Sequence, residues 1–264
     1  MTPERYLAVL RSDGARLAEA ARAAGLDAPI PSCPGWTVRE CVLHTGEVFR
    51  NKARWLEIGL RPASDQFESE PPAGVGPIDW YDESLAVIVA ALESRDPAAP
   101  ADTWWPPDRT VGFWYRRMAQ EVVVHRLDVE DALGAPTPVP DDVAVDGIDE
   151  VLHTFLDEDW ATLTPEDWAG VDPEAGAGAT ILVRSGGGAW ASTLAPDAIA
   201  TVTLDPAHAD GEADGGGGAT ATVEGAPESV LLWLWGRRPD AEVDLNGDLA
   251  AIRAFRARLV LATQ

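Results

Sequence analysis

The chain has 264 residues, enough for one large domain or two ordinary ones, and its 46% hydrophobic content supplies real cores, so disorder throughout is excluded. With 44 acidic against 20 basic residues the formal net charge is −24, a field that repels phosphate backbones and anionic headgroups and argues against nucleic-acid and membrane partners. Two cysteines, no secretory-type leader and no apolar run near the roughly 20 residues that a bilayer demands point to the reducing cytoplasm.

In residues 3–24, Tyr6, Leu7, Leu10, Leu17 and Ala21 recur near helical spacing and Gly25 supplies a stop, so this is the first predicted helix. The turn-rich stretch Pro31-Ser32-Cys33-Pro34-Gly35-Trp36 follows. Thr37, with Glu40 three residues later, forms a capping box that opens a second helix to about residue 59. That helix holds Lys52, the only lysine, which argues against Schiff-base catalysis. Residues 61–77 carry Pro, Gly, Ser and acids without periodicity and read as a long loop before a third helix over 79–94. A Pro-rich break precedes a fourth helix over 113–133, ended by Gly134. Four helices in this span predict an antiparallel bundle.

Pro136, Pro138 and Pro140 break any continuing helix and mark a boundary between a domain over 1–140 and another over 141–264. Beyond it a helix over 141–155 leads to short β-like runs at 179–184, 189–193, 198–204 and 219–224, separated by Gly-rich turns. The glycine run at 215–218 reads as a flexible hairpin loop. Helices are predicted at 227–235 and 248–262. The fold class is a four-helix bundle followed by a smaller α+β domain.

On the fourth helix Trp114, Met118, Glu121, Val122, His125, Val129 and Ala132 share a face at spacings of three and four. Glu121 and His125 therefore point into an otherwise apolar seam, one turn apart. The same spacing on a lone helix is usually a surface ion pair, but a carboxylate in a bundle core is costly unless paired or metal-bound. His44, on the second helix with Cys41, Thr45 and Val48, is the other inward polar residue. Two histidines and a carboxylate suit Zn²⁺ with an open coordination position, and they also suit Fe²⁺, Ni²⁺ or Mn²⁺. Cys33 and Cys41 read as small buried hydrophobes, and His153 and His208 as ordinary surface or edge residues. Eleven tryptophans suit core edges and pocket walls. Gly176-Ala177-Gly178 precedes a strand and lacks a third glycine, so it is no dinucleotide fingerprint.

These residues resemble the mycothiol-dependent maleylpyruvate isomerase family, whose N-terminal domain is a DinB-like metal-binding bundle. The resemblance is carried by Pro31 through Glu40 with His44 following, by Arg116-Arg117-Met118-Ala119-Gln120-Glu121-Val122-Val123-Val124-His125-Arg126, and by Leu232-Trp233-Leu234-Trp235-Gly236-Arg237-Arg238-Pro239. It implies that His44, Glu121 and His125 hold the metal and that mycothiol is the thiol cosubstrate. The implied activity is addition of a metal-activated thiolate to an electrophilic small molecule or an unsaturated diacid, as an S-transferase or a cis-trans isomerase. The position before the glutamate, often His in relatives, is Gln120 here, which leaves the three ligands in place and bears on substrate or metal preference. Arg237, following the tryptophan-rich helix, is the candidate for holding a substrate carboxylate bidentately; Arg237 and Arg238 also read as a solvated helix end. The alternative from another class is a non-catalytic metal- or ligand-binding regulatory protein.

Overall fold

The structure is a computed structural model that describes residues 1–156, 160, 163–164, 166–205 and 218–263. His208 and positions 215–217 of the glycine run lie outside the described residues. The chain divides into two compact units, Met1–Pro138 and Val139–Gln264. No helix among the described residues is long and apolar enough to cross a membrane.

In the first unit, α1 (Pro3–Ala24) starts on Thr2, whose hydroxyl accepts from the Arg5 amide at 3.3 Å, and stops at Gly25. The expected capping box of Thr37 and Glu40 opens α2 (Val38–Ile58), and Gly59 closes it in the left-handed conformation. The helices α3 (Pro77–Glu93) and α4 (Val111–Ala132) complete the bundle. The main packing pairs are α1 with α4 and α2 with α3, while α1 and α2 barely touch, as do α3 and α4. The segments over 25–37 and 94–110 thus join helices that are not close neighbours, which needs more chain than a tight helical hairpin. This arrangement sets α2 beside α4.

Helix α4 departs from the one-faced pattern that its sequence predicts. Of residues 111–130, all but Gly112, Arg116 and Glu121 are buried. Arg126, fully buried, donates from Nε to Asp13 Oδ1 of α1 at 3.0 Å and from Nη1 to Glu130 Oε2 at 2.8 Å and to the Thr137 carbonyl. It ties two helices and the segment after α4 together. Close packing sets other positions: a Cβ on Gly46 would lie 2.5 Å from the Trp80 ring, so α2 meets α3 there only because the side chain is absent.

The second unit opens with α5 (Asp141–Glu150), which runs into a π-helical turn over Val151–Phe155. Among the described residues five strands follow in the spatial order β3-β2-β1-β4-β5. The strands β1 (Thr180–Ser185), β2 (Gly188–Ala195) and β3 (Ala198–Thr203) form an antiparallel meander, with Val183 opposite Trp190. β4 (Ala221–Glu224) runs parallel to β1, placing Val223 beside Val183, and β5 (Asp244–Gly247) pairs antiparallel at the edge. The helix α6 (Pro227–Leu234) packs on α5, and α7 (Leu249–Ala262) lies against β1, β4 and β5. Ile148, Val151, Ile181, Val183, Val223, Leu231, Trp233 and Phe255 fill this core. Among the described strands β5 alone lacks a sequence prediction. Its residues Asp-Leu-Asn-Gly hold a single apolar side chain, which an edge strand tolerates and which gives no alternation to detect.

Candidate metal centre

Three side chains from two helices meet at the middle of α4. Glu121 Oε1 lies 3.3 Å from His125 Nε2 and 3.4 Å from His44 Nε2, and the three ligand atoms all fall within 4.8 Å of one another. Helical geometry aligns Glu121 with His125 one turn on, and the α2–α4 pairing delivers His44. The His44 side chain is 40% exposed, against 13% for Glu121 and 10% for His125, so the set has a wet side and a dry side.

Each inner group is oriented from behind. Asp128 Oδ2 lies 3.2 Å from His125 Nδ1, which leaves Nε2 directed at Glu121, and Asp128 Oδ1 accepts from the Ser32 hydroxyl at 2.7 Å. Buried Arg117, one turn before Glu121, donates to Glu121 Oε2. The turn over 31–36 is built around Gly35, whose φ of +91° disfavours other residues, with the Trp36 amide donating to the Cys33 carbonyl at 3.0 Å. It lays the Trp36 indole nearly parallel to His125, with centroids 6.2 Å apart, and edge-on to His44 at 5.2 Å.

The electrostatics follow from these partners. Burial alone would raise the Glu121 carboxyl, but the Arg117 charge and the hydrogen bonds of His125 and His44 hold it well below the ordinary carboxylate range. Burial alone would lower His125, and the Cys41 sulfur, Asp128 and Glu121 together push it well above its ordinary value. The buried Cys41 thiol is itself pushed up by burial and donates to the His125 carbonyl at 3.7 Å, which makes it an inert packing group. Cys33 is half-buried.

Two imidazole Nε2 atoms and one ionised carboxylate oxygen, with the far side of each inner ligand already hydrogen-bonded, form a donor set that fits a single divalent cation. Asp128 and Arg117 did not emerge from the sequence pattern, yet both carried a signal: each is a charged residue at i+3 or i−4 from a candidate ligand. Ser32 and Trp36 lay within the noted turn without assigned roles.

Lys52 also stands out. Its ammonium lies 5.2, 5.6 and 5.8 Å from the centroids of Trp55, Trp104 and Trp114, and it donates to Asn51 Oδ1 at 2.9 Å. Burial lowers it from 10.5 to about 8, opposed by the charge of Glu121. Lys52 and Trp114 face each other across the same α2–α4 seam as His44 and Glu121.

Arg237 belongs to the second unit. Its Nη1 donates to the Trp235 carbonyl at 2.8 Å and its guanidinium lies 5.9 Å from the Trp235 ring. Arg238 pairs with Glu242 at 3.7 Å. His153 is held within that unit by Thr203 Oγ1 at 2.9 Å and Asp149 at 3.6 Å, both on Nε2.

Comparison with known proteins agrees with this architecture. The family model described as "Mycothiol maleylpyruvate isomerase N-terminal domain" matches residues 7–130, and that described as "MDMPI C-terminal domain" matches residues 142–254. Two solved structures, the mycothiol-dependent maleylpyruvate isomerase and a histidine-to-alanine mutant of it, are each 14% identical with a TM-score of 0.57. Each match covers 94% of this chain and 95% of the other, and it shows a shared fold. No curated protein matches the chain.

Proposed function

From the premise that this chain belongs to the mycothiol-dependent maleylpyruvate isomerase family, we propose that it is a metal- and thiol-dependent enzyme acting on a small electrophile or an unsaturated diacid. The observation that carries the reading is the convergence of His44, Glu121 and His125 with Asp128 and Arg117 fixed behind them. These three residues would hold one divalent cation, Zn²⁺ first and Ni²⁺, Fe²⁺ or Mn²⁺ as alternatives. When bound, such an ion supplies Lewis acidity that makes a thiol deprotonate at neutral pH.

The chain's own residues supply the remainder. Arg117 keeps Glu121 ionised, so the carboxylate is ready to donate without first losing a proton. Asp128, steadied by Ser32, fixes the ring orientation of His125. Trp36 lies along one face of the His125 imidazole and edge-on to His44, while the exposed edge of His44 marks the side open to ligands. In this reading Arg237 orients the carboxylate of a substrate and takes no part in ligation. Mycothiol is the thiol because the family is named for it, and the compartment is the reducing cytoplasm.

The test is metal analysis followed by rate measurement. Purified protein is expected to hold about one divalent ion per chain, and His44→Ala, Glu121→Ala or His125→Ala each to reduce occupancy by at least about tenfold, since three ligands leave no redundancy. With mycothiol, the loaded protein should accelerate thiol addition or cis-trans isomerisation across a panel of electrophiles and diacids, and a chelator should abolish the rate. Undiminished occupancy in all three variants would falsify the ligand set. A loaded protein that changes no rate would leave a binding protein as the better description.

A further inference from the structure

Glu121 presents its two carboxylate oxygens to different partners. Oε1 faces both histidines, 3.3 Å from His125 Nε2 and 3.4 Å from His44 Nε2, whereas Oε2 accepts from Arg117 Nη2. Arg117 is 3% exposed and lies one turn before Glu121 on the same helix, so moving either residue away would cost the buried charge this partner. It contacts Glu121 on the oxygen turned away from the two histidines.

We infer that Arg117 is a positioning residue that occupies Glu121 Oε2 and so commits the carboxylate to donate through Oε1 alone. The inference rests on the reading of His44, Glu121 and His125 as a metal site and goes beyond it. A carboxylate ligates with one oxygen or with both. Chelation would fill a second coordination position and would require the Oε2–guanidinium hydrogen bond to be given up inside the protein, where charge-assisted bonds are strongest. Single-oxygen donation keeps the remaining positions for a thiol and a substrate. Arg117 thus sets coordination number without being a ligand, through a single charge-assisted contact to Oε2 that a lysine ammonium can also supply.

Cobalt substitution tests this with a readout that packing alone does not move. Wild-type protein loaded with Co²⁺ is compared with Arg117→Met and Arg117→Lys by visible absorption, Co²⁺ affinity and thermal melting. The Met variant is expected to bind Co²⁺ about tenfold more weakly and to show the weaker, shifted bands of a higher coordination number. The Lys variant, which can still hold Oε2, is expected to restore the wild-type bands. A Met variant that binds Co²⁺ with an unchanged spectrum overturns the inference, as does a Lys variant whose bands match those of Met. X-ray absorption on the wild-type metalloprotein needs no variant to fold: the short metal–carbon distance of a chelating carboxylate would also overturn it. Wild-type protein that takes up no Co²⁺ removes the metal reading itself, a failure distinct from binding with both Glu121 oxygens.

Discussion

Arg126 in the helical unit and Arg258 in the α+β unit are both fully buried, and their partners differ in kind. Arg126 is matched by carboxylates, Asp13 and Glu130, and sits beside His125 on a helix that carries several further ionised groups. Arg258 is matched by backbone carbonyls, those of Ala195 and Pro173 at 2.7 and 2.5 Å, and by the rings of Trp160 and Trp168 at 5.6 and 5.2 Å. In the first unit the buried cation is matched by carboxylates that tie α1 to α4. In the second it ties the loop at Pro173 to the end of β2 through carbonyls and indoles, with Asp172 and Glu174 acting on it only through space. A buried cation is therefore not by itself the mark of a site.

Substitutions can break this contrast, and the largest effect is expected at Arg126. Arg126→Met strands Asp13 and Glu130 as buried carboxylates and should cost about 3–5 kcal/mol of stability, read by denaturant or thermal melting. Arg258→Met leaves only carbonyls and indoles behind and should cost less, about 2–3 kcal/mol, with metal content unchanged. If Arg258→Met proved the more damaging, the distinction between charged and neutral partners would be wrong.

Asp128→Asn addresses the same contrast nearer the donors. It keeps the shape that Ser32 and His125 contact while removing the charge, so the melting temperature should hold and metal affinity should drop about 10–100-fold by competition titration. Equal affinity would reduce Asp128 to a packing residue.

The smallest effect is a gain. Lys52 sits at about 8 in the folded chain against an ordinary 10.5, so below pH 8 folding keeps it charged at a cost, and the three indoles offset part of that. Lys52→Met should therefore stabilise the protein at pH 7 by about 1–2 kcal/mol. The sign follows from the lowered folded value: the advantage is full below pH 8 and fades as pH rises from 8 through 10.5. Melting curves across that range check it, and a loss of stability at pH 7 would mean that the aromatic contacts outweigh the burial.

What was legible in the sequence is what local physics controls. Helix ends at Thr37 and Gly59, the one-turn alignment of Glu121 with His125, and the short β-like runs of β1 to β3 between turns all arise from neighbours within a few residues. His44 was legible because a histidine on the inward face of an amphipathic helix is costly to bury without a polar partner, and the Pro-rich stretch before residue 141 announced a change of texture. β5 was not legible because a four-residue polar edge strand exists only through its partner β4. The burial of α4 on nearly every side, the pairing of α2 with α4, and the reach of Ser32 and Trp36 onto the groups around His125 were decided by tertiary packing. Which helices become neighbours depends on how all four apolar faces close on one another, and that long-range sum has no expression in the spacing of residues along any one helix.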